Sequence, residues 1–441
     1  MKLTIASVTA VCLSLSASGS DLLGWWKTDI SGVPVIAHIT GTADSPRAMI
    51  FAPTQTSDSI PAEEVTIKGD TLRLASNALG ASFEGVCRAK RIGGIFRQRD
   101  VTVPVTFERT SAEESMSRRP QTPRKFQYGQ REVSIASDTV TLGGTLTYPW
   151  GTPPHGAVVF ISGSGAQDRD ETISGHKPFA VISDALTRAG WITLRCDDRG
   201  VGASSEGNPD AGMTELAADP LAQIAWLRTL PELKDKPIGL LGHSQGGDIA
   251  FIAAALQPEA VDFIVTVGAP GIKGKEIVLR QNQMLAFGRL PQPVTAAIDS
   301  ALTLLASDIP SEEVTPRVKE ILSGFMPATA VEKQLTVMAS ESYRDLLRHD
   351  PAEWMPKVKC PVFALNGIND MQVDAEPNLK AISESIPQAK TKAYAGLNHL
   401  LQPCDYPTIN YGAIQQTIDT RALSDILDFL LTTFPAYGDA Q

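Results

Sequence analysis

Residues 237–256 read PIGLLGHSQGGDIAFIAAAL, and the reading of the whole chain turns on them. The apolar run Ile238 to Leu241 is followed at once by Gly242-His243-Ser244-Gln245-Gly246, and then by apolar residues at Ile249, Ala250, Ile252, Ala253 and Leu256. A short buried run followed by a helical period predicts strand, tight turn and helix. A serine hydroxyl is a poor nucleophile. To react, it must project towards a base, at a helix N-terminus whose N–H groups can meet developing negative charge. The turn that presents it strains the backbone at Ser244 and crowds the positions two residues to either side, where Gly242 and Gly246 carry no Cβ. The bland alternative, a glycine-rich turn with a solvated serine, leaves the second half of the chain unexplained.

Outward from this stretch, strand and helix patterns alternate. Strands are expected at Ala157–Ile161, Trp191–Cys196, Ile238–Leu241 and Phe263–Val267, and helices at Phe179–Ala189, Thr214–Leu230 and Asp248–Leu256. A hairpin, Glu132–Ala136 with Val140–Tyr148, precedes them. Such alternation builds a parallel sheet with helices on both faces, and ligands on such sheets sit outside the carboxyl ends of the strands. From Gly271 to Lys357 the strand signal stops and helical periods take over, as in Ile298, Leu302 and Leu305. An all-helical insertion between two strands is expected to lie over the serine as a cap that shapes its pocket; a packing insertion without a role in selectivity is the alternative. The sheet resumes at Pro361–Asn366, with a helix around Leu379–Ser385, a strand at Lys390–Tyr394 and a last helix from Arg421 to Leu431.

Strand Val362–Leu365 runs into Asn366-Gly367-Ile368-Asn369-Asp370. A carboxylate just past a late strand is where a histidine's tautomer would be fixed, and Asp370 is chosen for it. Its rival, Asp374, is read instead as the cap of the next helix. His399 follows the last strand and is the expected base. His38, His155 and His349 fall in the N-terminal β region, a Pro-rich turn and the cap, while His243 is read as pointing away from the reaction. The oxyanion donors are expected to be the backbone N–H of Gln245 and that of Ser164, with Gly165 the neighbouring choice, in the glycine-bearing loop Ser162-Gly163-Ser164-Gly165.

These residues, with Ala166-Gln167-Asp168-Arg169-Asp170-Glu171, Gly175-His176-Lys177-Pro178-Phe179, Asp197-Asp198-Arg199-Gly200-Val201-Gly202 and Asn398-His399, occur in an order that covers most of residues 126–435. In that order the chain resembles serine esterases of the α/β-hydrolase superfamily, in the branch of secreted bacterial esterases with a small N-terminal β domain. The fold implied is an α/β-hydrolase fold with a helical cap, and its chain order of serine, acid and histidine is the one seen here in Ser244, Asp370 and His399. The resemblance also puts His176 near the mouth of the site, as a pocket or structural residue. The Asp197–Gly202 and Asp168–Glu171 segments read as turns braced by ion pairs, and no metal is expected because no His or Cys is suitably spaced beside their carboxylates.

The N-terminal region is of another kind. Met1 to Ser20 carries one charge, an apolar run from Leu3 to Leu15 and then small residues, a signal-peptide pattern that implies a secreted or periplasmic protein. Residues 21–110 read as a small β-barrel or sandwich, with strands at Ala81–Cys87, Ile92–Arg97 and Val101–Glu108 and a hairpin joining Val65–Ile67 to Leu72–Leu74. Trp25 and Trp26 read as core aromatics rather than a ligand surface. Residues 111–125, polar and with Pro120 and Pro123, read as a linker to a catalytic domain over 126–441 whose cap spans about 271–357. Cys87, Cys196, Cys360 and Cys404 are read as free thiols.

A formal charge of −10, with charges of both signs scattered, argues against nucleic acid or an anionic membrane as partner, and no later stretch has the twenty or so apolar residues of a span. The expectation is a serine hydrolase acting on a small-molecule carboxylic ester, of short-chain or aryl type, through an acyl-enzyme and without a cofactor. A peptidase, amidase or thioesterase on the same fold is the neighbouring reading. A secreted binding protein that keeps the fold without the chemistry is the distant one.

Overall fold

The structure, a computed structural model, describes residues 19–30, 33–52, 60–88, 90–99, 101–111, 123 and 126–435. Residues 1–18 of the leader expected over 1–20, and most of the linker expected over 111–125, lie outside the described residues. The chain divides into two compact units, Met1–Arg118 and Arg119–Gln441.

Among the described residues the first unit is a single antiparallel sheet of nine strands: β1 Gly24–Ile30, β2 Val33–Thr42, β3 Ser45–Phe51, β4 Ile60–Ala62, β5 Glu64–Lys68, β6 Thr71–Ser76, β7 Ala81–Arg88, β8 Arg91–Gln98 and β9 Val101–Thr110. Its order, β4-β3-β2-β1-β9-β8-β7-β6-β5, makes a meander whose two ends meet: Ser76 Oγ on β6 donates to Pro61 O on β4 at 3.1 Å. The sheet thus wraps round its own core of Trp26, Ile39, Leu72, Phe83, Ile92 and Phe107. Trp26 is fully buried, with its indole N–H on Leu22 O, while Trp25 stacks on His38 at 3.9 Å.

The second unit holds an eight-stranded sheet ordered β10-β11-β13-β12-β14-β15-β16-β17. β10 Tyr128–Ser137 and β11 Val140–Pro149 form the antiparallel hairpin. The others, β12 Ala157–Ile161, β13 Ile192–Cys196, β14 Ile238–His243, β15 Ile264–Val267, β16 Val362–Gly367 and β17 Lys390–Tyr394, run parallel to one another. The central strands β12, β14, β15 and β16 are buried along their whole length because both faces are covered, whereas the edge strand β17 is exposed except at Tyr394. Val159, Leu240 and Ala364 point to one face, where they meet α2 Met213–Leu216, α3 Ala218–Leu227, α4 Gln245–Leu256 and α10 Ala375–Ser385. Val158, Leu241 and Leu365 point to the other and meet α1 Pro178–Arg188 and α11 Thr420–Thr433. Each fully buried Leu, Ile or Val contributes roughly 1.5–3 kcal/mol.

The helix expected over Thr214–Leu230 is two helices. Pro220 has no N–H to give, and its ring crowds the carbonyl of Leu216, so the chain restarts at Ala218. Between β15 and β16 the cap consists of α5 Gly274–Leu285, α6 Gln292–Leu305, α7 Ser311–Ser323, α8 Ala328–Met338 and α9 Glu341–Arg348. It packs largely on itself, through Leu302, Leu305, Val314, Val318, Val331 and Leu335. No helix among the described residues is long and apolar enough to cross a membrane.

After β12 the chain adds β13 on one side of it and then crosses back to add β14 on the other. The loops leaving β12 and β14 therefore open the crevice where strand order reverses, and they carry Ser162-Gly163-Ser164-Gly165 and Ser244.

Candidate active site

Ser244 sits between β14 and α4 at φ +52°, ψ −125°, a left-handed backbone that a residue with a Cβ rarely adopts. The strain is held from three sides. Ser244 N–H donates to Val267 O at 2.8 Å; a Cβ on Gly242 would lie 2.2 Å from Gly246 O; one on Gly246 would lie 2.2 Å from Ile161 O. Only glycine fits either position, so the hydroxyl leaves the turn at the N-terminus of α4.

His399 occupies a turn built by Asn398, whose Oδ1 accepts the N–H groups of Leu400 and Gln402 at 3.0 Å each. Its Nδ1 lies 2.6 Å from Asp370 Oδ2. Asp370 is wholly enclosed, and its other oxygen accepts from Gln372 N–H at 2.7 Å and Val373 N–H at 3.0 Å. With a carboxylate facing it, Nδ1 carries the proton and Nε2 is left as the acceptor. Beneath the ring lies Gly268, at φ +60°; a Cβ there would stand 2.9 Å from His399 Cε1. Gly268 follows Val267, the residue that holds Ser244 N–H, so nucleophile and base rest on one strand end. Among the described residues no hydrogen bond joins Ser244 to His399; contacts of this kind tighten when substrate binds.

The loop after β12 is tied down by carboxylates. Asp198 accepts from Ser162 Oγ at 2.6 Å and Gln167 N–H at 2.8 Å. Burial pushes its carboxyl up to about 6, against the pull of those two bonds. Gly163 N–H is taken by Glu171 Oε1 at 2.7 Å, and the neighbouring segment Ser164-Gly165 is exposed. Gly165, at φ +91°, turns the chain there. Gln245 is the first residue of α4, where N–H groups have no partner within the helix.

The bracing expected of the charged turns is present for most of their members. Arg169 joins Asp197 at 2.7 Å and also contacts Glu132; Arg195 and Lys177 hold Asp170; Arg199 holds Asp219 at 2.8 Å; Asp168 accepts from Thr172. Glu171 departs from that reading. It is fully buried and pairs not with a cation of the loop but with His243, whose Nδ1 is 2.8 Å from Glu171 Oε1 and whose Nε2 is 3.1 Å from His399 O. His243 thus turns away from the crevice but towards the backbone of His399. Burial works to lower the His243 pKa; the charge and hydrogen bond of Glu171 outweigh it, so the imidazole titrates above its ordinary value.

His176 is only 1% exposed. Its Nε2 donates to Tyr411 O at 2.7 Å and its Nδ1 accepts from Gln402 Nε2 at 2.8 Å. Both ring nitrogens are engaged, one by Gln402 in the turn that follows His399 and one by Tyr411 O, which is a structural role. Asp374 stands at the N-cap of α10 but faces Arg280 of α5 at 3.4 Å instead of capping. Asp248 on α4 faces His349, just past α9, at 3.6 Å; Asp248 is buried and the His349 side chain nearly so, and neither Asp248 Oδ1 nor His349 Nε2 has a hydrogen bond. All four described cysteines are free thiols, and burial pushes Cys196 and Cys360 up to about 12. Among the described residues no group of three His, Cys, Asp or Glu side chains is arranged to hold a metal ion.

Residues 156–404, more than half of the chain, match the family model of the alpha/beta hydrolase fold. Esterase EstD of Thermotoga maritima is 27% identical over 288 residues, 63% of this chain and 61% of that one, so the chain spans about three fifths of that relative's length. Two solved structures also align: Est1E from Butyrivibrio proteoclasticus, 17% identical over 68% of this chain and 98% of that one with a TM-score of 0.44, and an esterase of Pyrococcus furiosus, 15% identical over 72% and 97% with a TM-score of 0.45.

Proposed function

The chain belongs to the α/β-hydrolase fold family, and from that premise we propose that it is a serine hydrolase of carboxylic esters, with Ser244 as nucleophile, His399 as base and Asp370 as its orienting acid. The observation that carries this reading is the buried 2.6 Å contact of Asp370 Oδ2 with His399 Nδ1, on a strand end shared with the strained serine. The name of the Thermotoga relative, an esterase, adds the substrate class.

In this mechanism His399 Nε2 takes the Ser244 proton as Oγ attacks the ester carbonyl. The imidazolium that forms keeps Nδ1–H on Asp370, whose charge offsets it. The tetrahedral oxyanion meets the N–H groups of Gln245 and Ser164, each such donor contributing on the order of 10² in rate. The alcohol leaves with the proton from Nε2, and water repeats the cycle on the acyl-enzyme. The substrate we assign is a short-chain or aryl ester.

The test is hydrolysis of p-nitrophenyl esters from acetyl to dodecanoyl, beside labelling by a fluorophosphonate. Turnover that peaks at short chains, with label and turnover both lost in Ser244→Ala, is the expected result. Turnover that survives Ser244→Ala removes the mechanism, and silence towards every ester with turnover of an amide or thioester removes the substrate class.

A further inference from the structure

His243 stands next to the serine with an acceptor at each ring nitrogen. On one side is Glu171 Oε1, which already accepts Gly163 N–H; on the other is the carbonyl oxygen of His399, which can only accept. A neutral imidazole has one N–H and satisfies one acceptor; an imidazolium satisfies both. The glutamate is built into place. It is fully buried, it holds a left-handed backbone at φ +51°, and its Oε2 has no hydrogen-bond partner. The pair also lies against the nucleophile: a Cβ added to Gly163 would be 3.1 Å from Glu171 Oε1, 3.2 Å from Ser244 Cβ and 3.5 Å from His243 Nδ1.

We propose that Glu171 and His243 form a buried carboxylate–imidazolium clamp that positions the oxyanion loop, through Gly163 N–H, and the base, through His399 O, on opposite sides of Ser244. Both are positioning residues; neither is assigned a contact with substrate. The chain of contacts runs Gly163 N–H to Glu171, Glu171 to His243 Nδ1–H, and His243 Nε2–H to His399 O. It crosses strand β14 behind the hydroxyl and joins two loops that are 236 residues apart in sequence, from Gly163 to His399. The inference deepens the proposed ester hydrolysis and rests on it for its effect on rate, but the protonation of His243 is independent of any substrate.

Glu171→Gln keeps the shape and removes the charge. Its one amide oxygen either accepts from Gly163 and from a neutral His243 Nδ1–H, which turns the Nε2 lone pair on the His399 carbonyl, or rotates away and releases Gly163. Each arrangement breaks one of the contacts. The test uses the full chain with 15N-labelled histidine. In the wild type at pH 7, two N–H signals are expected for His243, assigned by their loss in His243→Gln. In Glu171→Gln one of the two disappears, and kcat on p-nitrophenyl acetate falls about 10- to 100-fold while KM stays within about 3-fold. A loss of folding alone would not produce that split. A wild-type His243 with a proton on one nitrogen only overturns the clamp, even if Glu171→Gln does not fold. So does a folded Glu171→Gln with wild-type kcat. Turnover surviving Ser244→Ala would instead sink the functional reading and leave the His243 signals to be judged by themselves.

Discussion

Gly268→Ala adds one methyl group beneath the base, and the outcome follows from distances. The new Cβ would stand 2.9 Å from His399 Cε1 and Nδ1 and 3.4 Å from Asp370 Oδ2. Carbon atoms rest at about 3.5–4.0 Å, so the ring must retreat by roughly 0.6–1 Å. It cannot do so freely, since Nδ1 is tied to Asp370 at 2.6 Å and Asp370 is tied to the backbone of Gln372 and Val373. The backbone cannot yield either, because Gly268 N–H is fixed to Leu365 O at 2.8 Å. A displacement near 1 Å costs on the order of 10² in rate. Separately, an alanine at φ +60° costs about 1–2 kcal/mol of stability, a loss of a few degrees in Tm. Gly151→Ala separates the two effects. Gly151 has φ +74° and nothing within 4 Å of its would-be Cβ, and it precedes β12, away from the strand ends that carry the site. Gly268→Ala should lose at least as much Tm as Gly151→Ala in thermal unfolding, while kcat on p-nitrophenyl acetate falls about 100-fold in Gly268→Ala alone. Equal kcat in the two variants would refute the placement of His399 as base over Gly268.

Two further variants test the buried carboxylates. Asp198 has its pKa raised by burial to about 6, so its ionised form is disfavoured in the fold, and the stability it contributes is lost as pH rises from about 4 to about 6. Asp198→Asn, whose amide can still meet Ser162 and Gln167, should therefore gain on the wild type by about 2 kcal/mol between pH 4.5 and pH 7 in urea midpoints; a pH-independent difference would contradict this. His349→Ala leaves Asp248 buried without its counter-charge and should cost roughly 3 kcal/mol at pH 7, less at pH 5, where the raised Asp248 carboxyl protonates more readily; an unchanged urea midpoint would show that the two groups are not coupled.

The sheet of the second unit was legible because its strands are short apolar runs between helical periods. Buried on both faces, Ile238–Leu241 and Val362–Leu365 admit few other readings. The helices were legible in type and less so at their ends: α4 starts three residues before Asp248 because the tight turn delivers Gln245, Gly246 and Gly247 straight into helical geometry despite two glycines. Strands β1 to β4 escaped notice, since Gly24–Ile30 and Val33–Thr42 show no clean alternation; in a sheet that wraps on itself most of their side chains are only half-buried. The meeting of Asp370 with His399 could be anticipated from chain order, because both follow late strands. The meeting of Glu171 with His243 could not. The two are 72 residues apart, and a glutamate among Asp168, Arg169 and Asp170 carries no mark that it alone turns inward. The local hint was a histidine directly beside the serine, a position already enclosed by strand packing, where a polar ring must find partners.

The cap has a core of its own. Leu302, Leu305, Val314, Val318, Val331 and Leu335 bury one another, apart from the two clusters that flank the sheet. Arg344, nearly fully buried, binds this miniature bundle together by donating to the carbonyls of Leu305, Ser307 and Ile309. Such an arrangement lets mutation work on the two parts separately. Substitutions in α6 to α8 act first on the packing of this bundle and not on the two clusters of the sheet. In engineering terms the insertion is a separable module, so a laboratory library over residues 292–338 is best confined to its exposed positions, with Leu302, Leu305, Val314, Val318, Val331 and Leu335 held fixed.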